Sequence, residues 1–164
     1  MTNLAPMMSS DRPDWNTPPE VLDRVRRIAP IGLDPCGNEG SIVGARVTLS
    51  LDDDGLAADW CNAGLVFVNC PYGRTIGHWT AKCVQEAALG ATVVALLPAR
   101  TDARWWQTTV PHAMRVCFWR GRLRFLGAPA SAPFPSAVVM WSRTRIDDES
   151  FGDAFGDAGW MVTP

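Results

Sequence analysis

Apolar residues recur at helical spacing in TPPEVLDRVRRIA, where Val21, Leu22, Val25 and Ile28 fall on one face. With prolines in the first turn and Thr17 placed as N-cap, this predicts a helix from about Pro18 to Ala29. The short apolar run IGL then enters the Gly-rich turn DPCGNEG, and ARVTLSLDDDG alternates Val47, Leu49 and Leu51 before three aspartates; both read as strands. GLVFV and TVVALLPA are apolar without alternation, the pattern of strands covered on both faces. Between them, Ile76 to Leu89 predicts a helix with Trp79, Cys83, Val84 and Ala87 on one side, and ARWWQTTV predicts a shorter one. MRVCFWRGRLRFLG reads as a hairpin, with Arg115 to Trp119 turning at Arg120-Gly121 into Leu123 to Leu126, and SAVVMW as the last strand. The Pro-, Ala- and Ser-rich LGAPASAPFPS reads as a mobile connection, and residues 1–12 and 146–164 as weakly ordered ends.

Strand and helix alternate early and antiparallel elements come late. The order predicts a single α/β domain over 1–164, with a mostly parallel mixed sheet flanked by helices. A length of 164 residues suits one such core, and 47% apolar with 20% charged residues is ordinary for a globular chain. No apolar run approaches the ~20 residues of a membrane span, and MTNLAPMMSSDRPDW lacks the features of an export signal. Five cysteines, Cys36, Cys61, Cys70, Cys83 and Cys117, form an odd set without a CxxC pair or a histidine at ligand spacing. They predict reduced thiols in the cytoplasm and no metal site.

A net charge of −2 excludes a globally basic nucleic-acid binder, but charge is distributed unevenly. Arg100, Arg104, Arg115, Arg120, Arg122 and Arg124 share one segment opposed only by Asp102, whereas Asp52, Asp53, Asp54 and Asp59 crowd an earlier one. The first segment can present a basic face to phosphates.

Ligands of open α/β sheets bind beyond the carboxyl ends of the strands, so the residues following each apolar run carry the chemical interest. After the first strand, the glycines of Asp34-Pro35-Cys36-Gly37-Asn38-Glu39-Gly40 let backbone N–H groups approach a ligand. After the second, Asp52-Asp53-Asp54 lie about where α/β nucleotide sites hold ribose hydroxyls, though an acidic turn in solvent has the same sequence. The end of GLVFV is the most informative. Asn69 offers a side-chain carbonyl, and residue 70 offers a backbone carbonyl restrained by Pro71. Two converging acceptors suit an –NH₂ group, and Tyr72 supplies a flat face for a heteroaromatic ring.

TPPEV, DPCG and NCPYG, in this order, resemble the successive motifs of S-adenosylmethionine-dependent amino-methyltransferases that modify N6 of adenine in DNA. The wider series WNTPPEV, LDPC, DDDGLAADW, FVNCPYG with a following HW, LLPARTDARWW and GRLRF is similar to the phage-type DNA N-6-adenine methyltransferase family, from about Trp15 to Trp141. The resemblance implies a Rossmann-like class I methyltransferase fold without a separate target-recognition domain. S-adenosylmethionine is the implied cofactor, double-stranded DNA the partner, and the bacterial cytoplasm, reached from a phage or prophage gene, the setting. By this resemblance Thr17 and Pro18 touch the methionine end of the cofactor. Asp34, Pro35, Cys36 and Gly37 line its amino-acid and sulfonium part, and Asp52 or Asp54 holds the ribose or adenosine. Asn69, also beside the cofactor, would hold the target base with the Cys70 carbonyl, Pro71 and Tyr72. Such an enzyme flips its adenine out of the duplex. Arg100, Arg104, Trp105, Trp106, Arg120, Arg122 and Arg124 are the candidate DNA surface, although tryptophans at such positions also build cores and hairpin arginines also face solvent.

Cys70 departs from the family pattern, which has proline there. The carbonyl survives the change, and the lost rigidity costs under ~1 kcal/mol. A nucleophilic Cys70 is the competing reading. Two other functions fit the same residues: methylation of an RNA adenine or a protein glutamine, and a catalytically silent relative that binds DNA or protein.

Overall fold

A computed structural model describes residues 15–164 of the chain, so the expectation for residues 1–12 lies outside the described residues. The elements in chain order are α1 (Pro19–Ile28), β1 (Ile31–Asp34), β2 (Val47–Thr48), β3 (Leu65–Val68), α2 (Ile76–Ala88), β4 (Thr92–Pro98), α3 (Arg104–Thr109), β5 (Arg115–Trp119), β6 (Ser136–Trp141), α4 (Arg145–Phe155) and β7 (Gly159–Val162). The strands form one seven-stranded sheet in the order β2-β1-β3-β4-β6-β5-β7. Pairings from β2 to β4 are parallel and those from β4 to β7 antiparallel. The sheet is therefore mixed, as expected: β1 to β5 run in one direction and β6 and β7 in the other, so that half of the neighbouring pairs are antiparallel.

Side chains alternate across the buried strands and fill two cores. Phe67, Val94, Leu96 and Met140 face α1 and α4, while Val66, Val68, Val93, Ala95 and Leu97 face α2 and α3. Double coverage explains why GLVFV and TVVALLPA carry no polar alternation. On one side Val21, Leu22 and Val25 of α1 meet Phe151 and Phe155 of α4; on the other Trp79 and Cys83 of α2 lie in one cluster with Trp106 of α3.

Four expectations change. Pro18 is the N-cap of α1, and the Thr17 hydroxyl instead accepts a hydrogen bond from Asn69. The second strand shrinks to Val47–Thr48, both exposed; of the alternating set only Leu49 packs against a core, while Val47 and Leu51 face solvent. Leu123 to Leu126 does not pair with β5 as a hairpin: Leu123 and Phe125 are buried, but the backbone of Leu126 bridges to Asn16. LGAPASAPFPS is tied down by buried Ala128 and Ala132, whose N–H donates to the Leu123 carbonyl at 2.7 Å.

The tail corrects the expectation of a weakly ordered end: it supplies α4 and then the edge strand β7. Phe151 and Phe155, one helical turn apart, stack at 4.8 Å with both side chains fully buried. Arg24 and Arg27 of α1 donate to the Ala154 carbonyl near the end of α4. The Thr144 side chain caps α4 by accepting from the Asp147 N–H at 3.3 Å. Thr144→Ala is expected to lower stability in urea unfolding by about 1 kcal/mol, the usual value of an N-cap; an unchanged midpoint would mean that this cap contributes nothing to the folded state.

Candidate active site

The carboxyl ends of β1, β3 and β4 lie at one edge of the sheet, and the antiparallel register of β6 returns the end of β5 to that edge. A cleft of about 490 Å³ opens there. Thr17, Asp34, Pro35, Cys36, Gly37, Asp54, Asn69, Cys70, Pro71 and Tyr72 all line it, so ten residues separated by up to 55 positions in sequence come together. Pro18, buried at the start of α1, and Asp52, exposed, are not among its lining residues.

Three turns build the wall on the β1 side. Asp34 ends β1 only 3% exposed, with its carboxylate accepting from the Cys36 N–H at 3.1 Å and the Ser41 hydroxyl at 3.3 Å. Burial raises its pKa above the usual carboxylate value, against the lowering effect of those two hydrogen bonds. A buried carboxylate of this kind favours a cationic ligand group, which would return its charge to a paired state. Gly37 leaves no room for a side chain, since a Cβ there would stand 2.2 Å from the Thr48 methyl and 3.1 Å from the Asp34 carboxylate. Gly55 packs its backbone against the Pro35 carbonyl, where a Cβ would approach to 1.8 Å. Fully buried Trp60 fastens that turn by donating from Nε1 to the Gly55 carbonyl at 3.0 Å and stacking on Trp79. Within the acidic triplet, Asp53 folds back onto the backbone and hydroxyl of Ser50 at 2.7 Å, leaving Asp54, in a left-handed conformation, at the cleft.

The β3 side holds the reactive-looking turn. Asn69 donates from Nδ2 to the Thr17 hydroxyl at 3.0 Å, which fixes the amide so that Oδ1 points the other way. The Tyr72 hydroxyl stands 3.0 Å from that Oδ1 and 2.9 Å from the Leu96 carbonyl. Its single hydrogen serves one acceptor at a time, so the Leu96 carbonyl can take it and leave Asn69 Oδ1 for another donor. Burial raises the Tyr72 pKa well above the phenol value, which keeps the hydroxyl protonated. The Cys70 carbonyl receives no hydrogen bond from the described residues. The ring of Tyr72 meets Phe125 and Phe134 at near-right angles, with centroids at 6.1 and 5.7 Å.

The Cys70 thiol is 3% exposed and packs with Val68, Ile76 and Cys83; burial pushes its pKa up to about 12. A thiol held neutral in an apolar layer is a poor nucleophile. Cys70→Ala is therefore expected to retain methyl transfer within about fivefold, the residual loss reflecting a small cavity. A drop of several orders of magnitude in a folded variant would restore the nucleophilic reading.

Of the candidate DNA residues, Arg104, Arg120 and Arg122 are exposed and Arg100 and Trp105 half-buried, all following β4 or β5 on the cleft edge. Arg124 is exposed too, and braces the neighbouring loop through the Ala128 and Pro129 carbonyls at 3.4 Å. Trp106 is 6% exposed and packs on Phe118, which places it in the core. Sequence reasoning missed Trp15, Asn16, Ser41, Leu51, Leu56, Thr75, Trp79 and Phe125 in the lining. A readable signal existed for Leu51, an apolar residue inside an acidic turn and 94% exposed at the mouth. Outside the lining, ligand atoms of Asp59, Cys61 and Glu86 lie within 4.8 Å of one another. Lys82 already pairs with this Glu86 at 2.7 Å.

The model of the DNA N-6-adenine-methyltransferase (Dam) family matches residues 5–145. The chain belongs to that family. Neither a curated protein nor a solved structure matches it. Membership in the Dam family makes the protein an enzyme of the DNA adenine methyltransferase type, with DNA as the implied substrate. The family match includes every lining residue of the cleft and both flanks of opposite charge. Among the described residues no helix is long and apolar enough to cross a membrane.

Proposed function

We propose that the protein transfers a methyl group from S-adenosylmethionine to the N6 amine of an adenine flipped out of duplex DNA, on a Rossmann-like class I methyltransferase fold. One observation carries this reading: Asn69 and Cys70, consecutive at the end of β3, both line the cleft, and the Asn69 side-chain carbonyl sits beside a tyrosine whose hydroxyl has a second acceptor. An adenine amine has two hydrogens and a lone pair delocalised into its ring. Holding both hydrogens on fixed acceptors stabilises the positive charge that builds on nitrogen as it attacks, and it does so without reorganisation of solvent. Tyr72, Phe125 and Trp15 bring aromatic surface to the same part of the cleft, suited to a base removed from its stack.

The rest of the cleft fits the cofactor. Asp34 offers a buried negative charge for its cationic amino-acid and sulfonium portion, Gly37 allows close approach of backbone, and Leu51, Leu56 and Asp54 offer an apolar and acidic wall for its nucleoside. When bound, S-adenosylmethionine supplies an electrophilic methyl group. The chain's own contribution is orientation: Thr17 holds Asn69, Asn69 and Cys70 hold the amine, and positioning of two reactants accounts for much of such a rate enhancement. The N–CH₃ bond forms as the sulfonium–methyl bond breaks, leaving a neutral thioether, and the proton lost from N6 passes to solvent at the open mouth of the cleft.

The test is transfer of label from radiolabelled S-adenosylmethionine to unmethylated genomic DNA, to RNA and to protein, with nucleoside analysis of the product. N6-methyladenosine in its deoxy form supports the proposal. Label in RNA or protein alone replaces the substrate, and cofactor binding without transfer to any of them indicates a silent relative.

The basic flank gives a separate expectation. Replacing both Arg120 and Arg122 by Ala should weaken duplex binding roughly tenfold at 0.1 M salt and flatten the plot of log K against log salt by about 2, one unit per lost phosphate contact. Unchanged salt dependence would place the DNA elsewhere.

A further inference from the structure

Two loops at the cleft belong to strands that are far apart in the sheet. The turn after β1 carries Asp34 to Ser41, and the loop after β5 carries Phe125; β3, β4 and β6 lie between their strands. Asn16 joins them. Its backbone forms a two-way bridge with Leu126, N–H to O at 3.2 Å and O from N–H at 2.9 Å. Its side chain reaches the other loop, donating from Nδ2 to the Gly40 carbonyl at 2.9 Å and accepting from Asn38 Nδ2 at 2.9 Å. The residues on either side extend the link. Trp15 stacks on Phe125 with centroids at 6.2 Å, and Thr17 holds Asn69.

The turn contacted by Asn16 is tied together internally and to Asp34. The Gly40 N–H donates to Asn38 Oδ1 at 2.9 Å, the Ser41 N–H to the Asn38 carbonyl at 3.0 Å, and the Ser41 hydroxyl to Asp34. A ligand that orders Asp34 therefore orders the two groups bonded by Asn16, and through the Leu126 bridge it orders the Trp15–Phe125 pair on the base side. We infer that residues 15–17 are a latch through which cofactor and target base strengthen each other's binding, with Asn16 as its positioning residue. The inference rests on the methyltransferase reading of the cleft. Such coupling is reciprocal, so DNA must tighten the cofactor by the same factor by which the cofactor tightens DNA.

The experiment measures the dissociation constant of S-adenosylhomocysteine, which permits no turnover, by calorimetry with and without a 30-base-pair duplex containing one mismatched adenine. The parent protein should bind it at least about fivefold more tightly on the duplex, the lower end of ordinary coupling. Asn16→Ala, which keeps the backbone bridge, should reduce that ratio to below about twofold whatever its effect on either affinity alone. Gly40→Ala approaches from the other side, because its Cβ would stand 2.9 Å from Asn16 Nδ2, and should also collapse the ratio. A merely structural role would lower the melting temperature and leave the ratio intact. A parent ratio near one, or variants that keep the parent ratio, overturns the latch alone. A parent that binds no S-adenosylhomocysteine overturns the methyltransferase reading and the latch with it.

Discussion

Asn69→Ala is expected to lower methyl transfer to DNA by about 10²–10³-fold, the usual cost of deleting one preorganised group that stabilises transition-state charge. The amide connects three parts of the site: Nδ2 to Thr17, Oδ1 to Tyr72 and, in the proposed complex, Oδ1 to the reacting amine. Truncation removes the acceptor and also frees the Tyr72 hydroxyl to turn fully to the Leu96 carbonyl. Folding should suffer little, by about 1 kcal/mol for the lost hydrogen bonds, since the residue is half-buried at the end of β3. Single-turnover transfer of label separates the two effects. A folded variant with a near-parental rate would remove Asn69 from the reaction.

Asp34→Asn should weaken cofactor binding by about 30–100-fold, the range for losing a buried charge that pairs with a cationic ligand. It should also have an opposite effect on the empty protein. The folded carboxyl has a raised pKa, so between the unfolded value and that raised value the native state binds more protons than the unfolded state, and stability falls as pH rises through this window. Above the window the charged carboxylate is a standing cost, which the amide lacks. The variant should therefore melt higher than the parent at neutral pH while binding cofactor less well. For the parent, cofactor affinity should fall as pH drops through the raised Asp34 pKa; for the variant that dependence should vanish. Melting curves and calorimetric titrations from acid to neutral pH check both signs, and a variant that binds normally would place the cation elsewhere.

The sequence made the central strands and the strand-end turns legible because burial on both faces leaves a continuous apolar run, and such runs end abruptly in polar turns. Asp34 to Gly37 and Asn69 to Tyr72 were found in this way and do share one cleft. Alternation was less reliable. RLRFL reads as the second arm of a hairpin with β5, yet Leu123 and Phe125 are buried while the Leu126 backbone pairs with Asn16, because a strand-like run does not say which backbone supplies its hydrogen bonds. In VTLSL alternation reads as a full strand, but only Val47–Thr48 pair and Val47 and Leu51 are exposed. Thr17 satisfies the composition of a helix cap, yet an amide across the cleft claims its hydroxyl. The tail was obscured by its glycines and aspartates, and the two phenylalanines that organise it count for little in a composition average.

Those phenylalanines also bear on where this protein can be cut. The stretch shared with the Dam family runs to residue 145, the first residue of α4. Core side chains of Phe151 and Phe155 lie beyond that point, as does the strand that covers the edge of β5. A fragment trimmed to the family boundary would expose the apolar side of α1 and an unpaired strand edge together, a combination that favours association with other chains over solubility. The limit of recognisable kinship and the limit of the cooperative folding unit are thus different places in this chain.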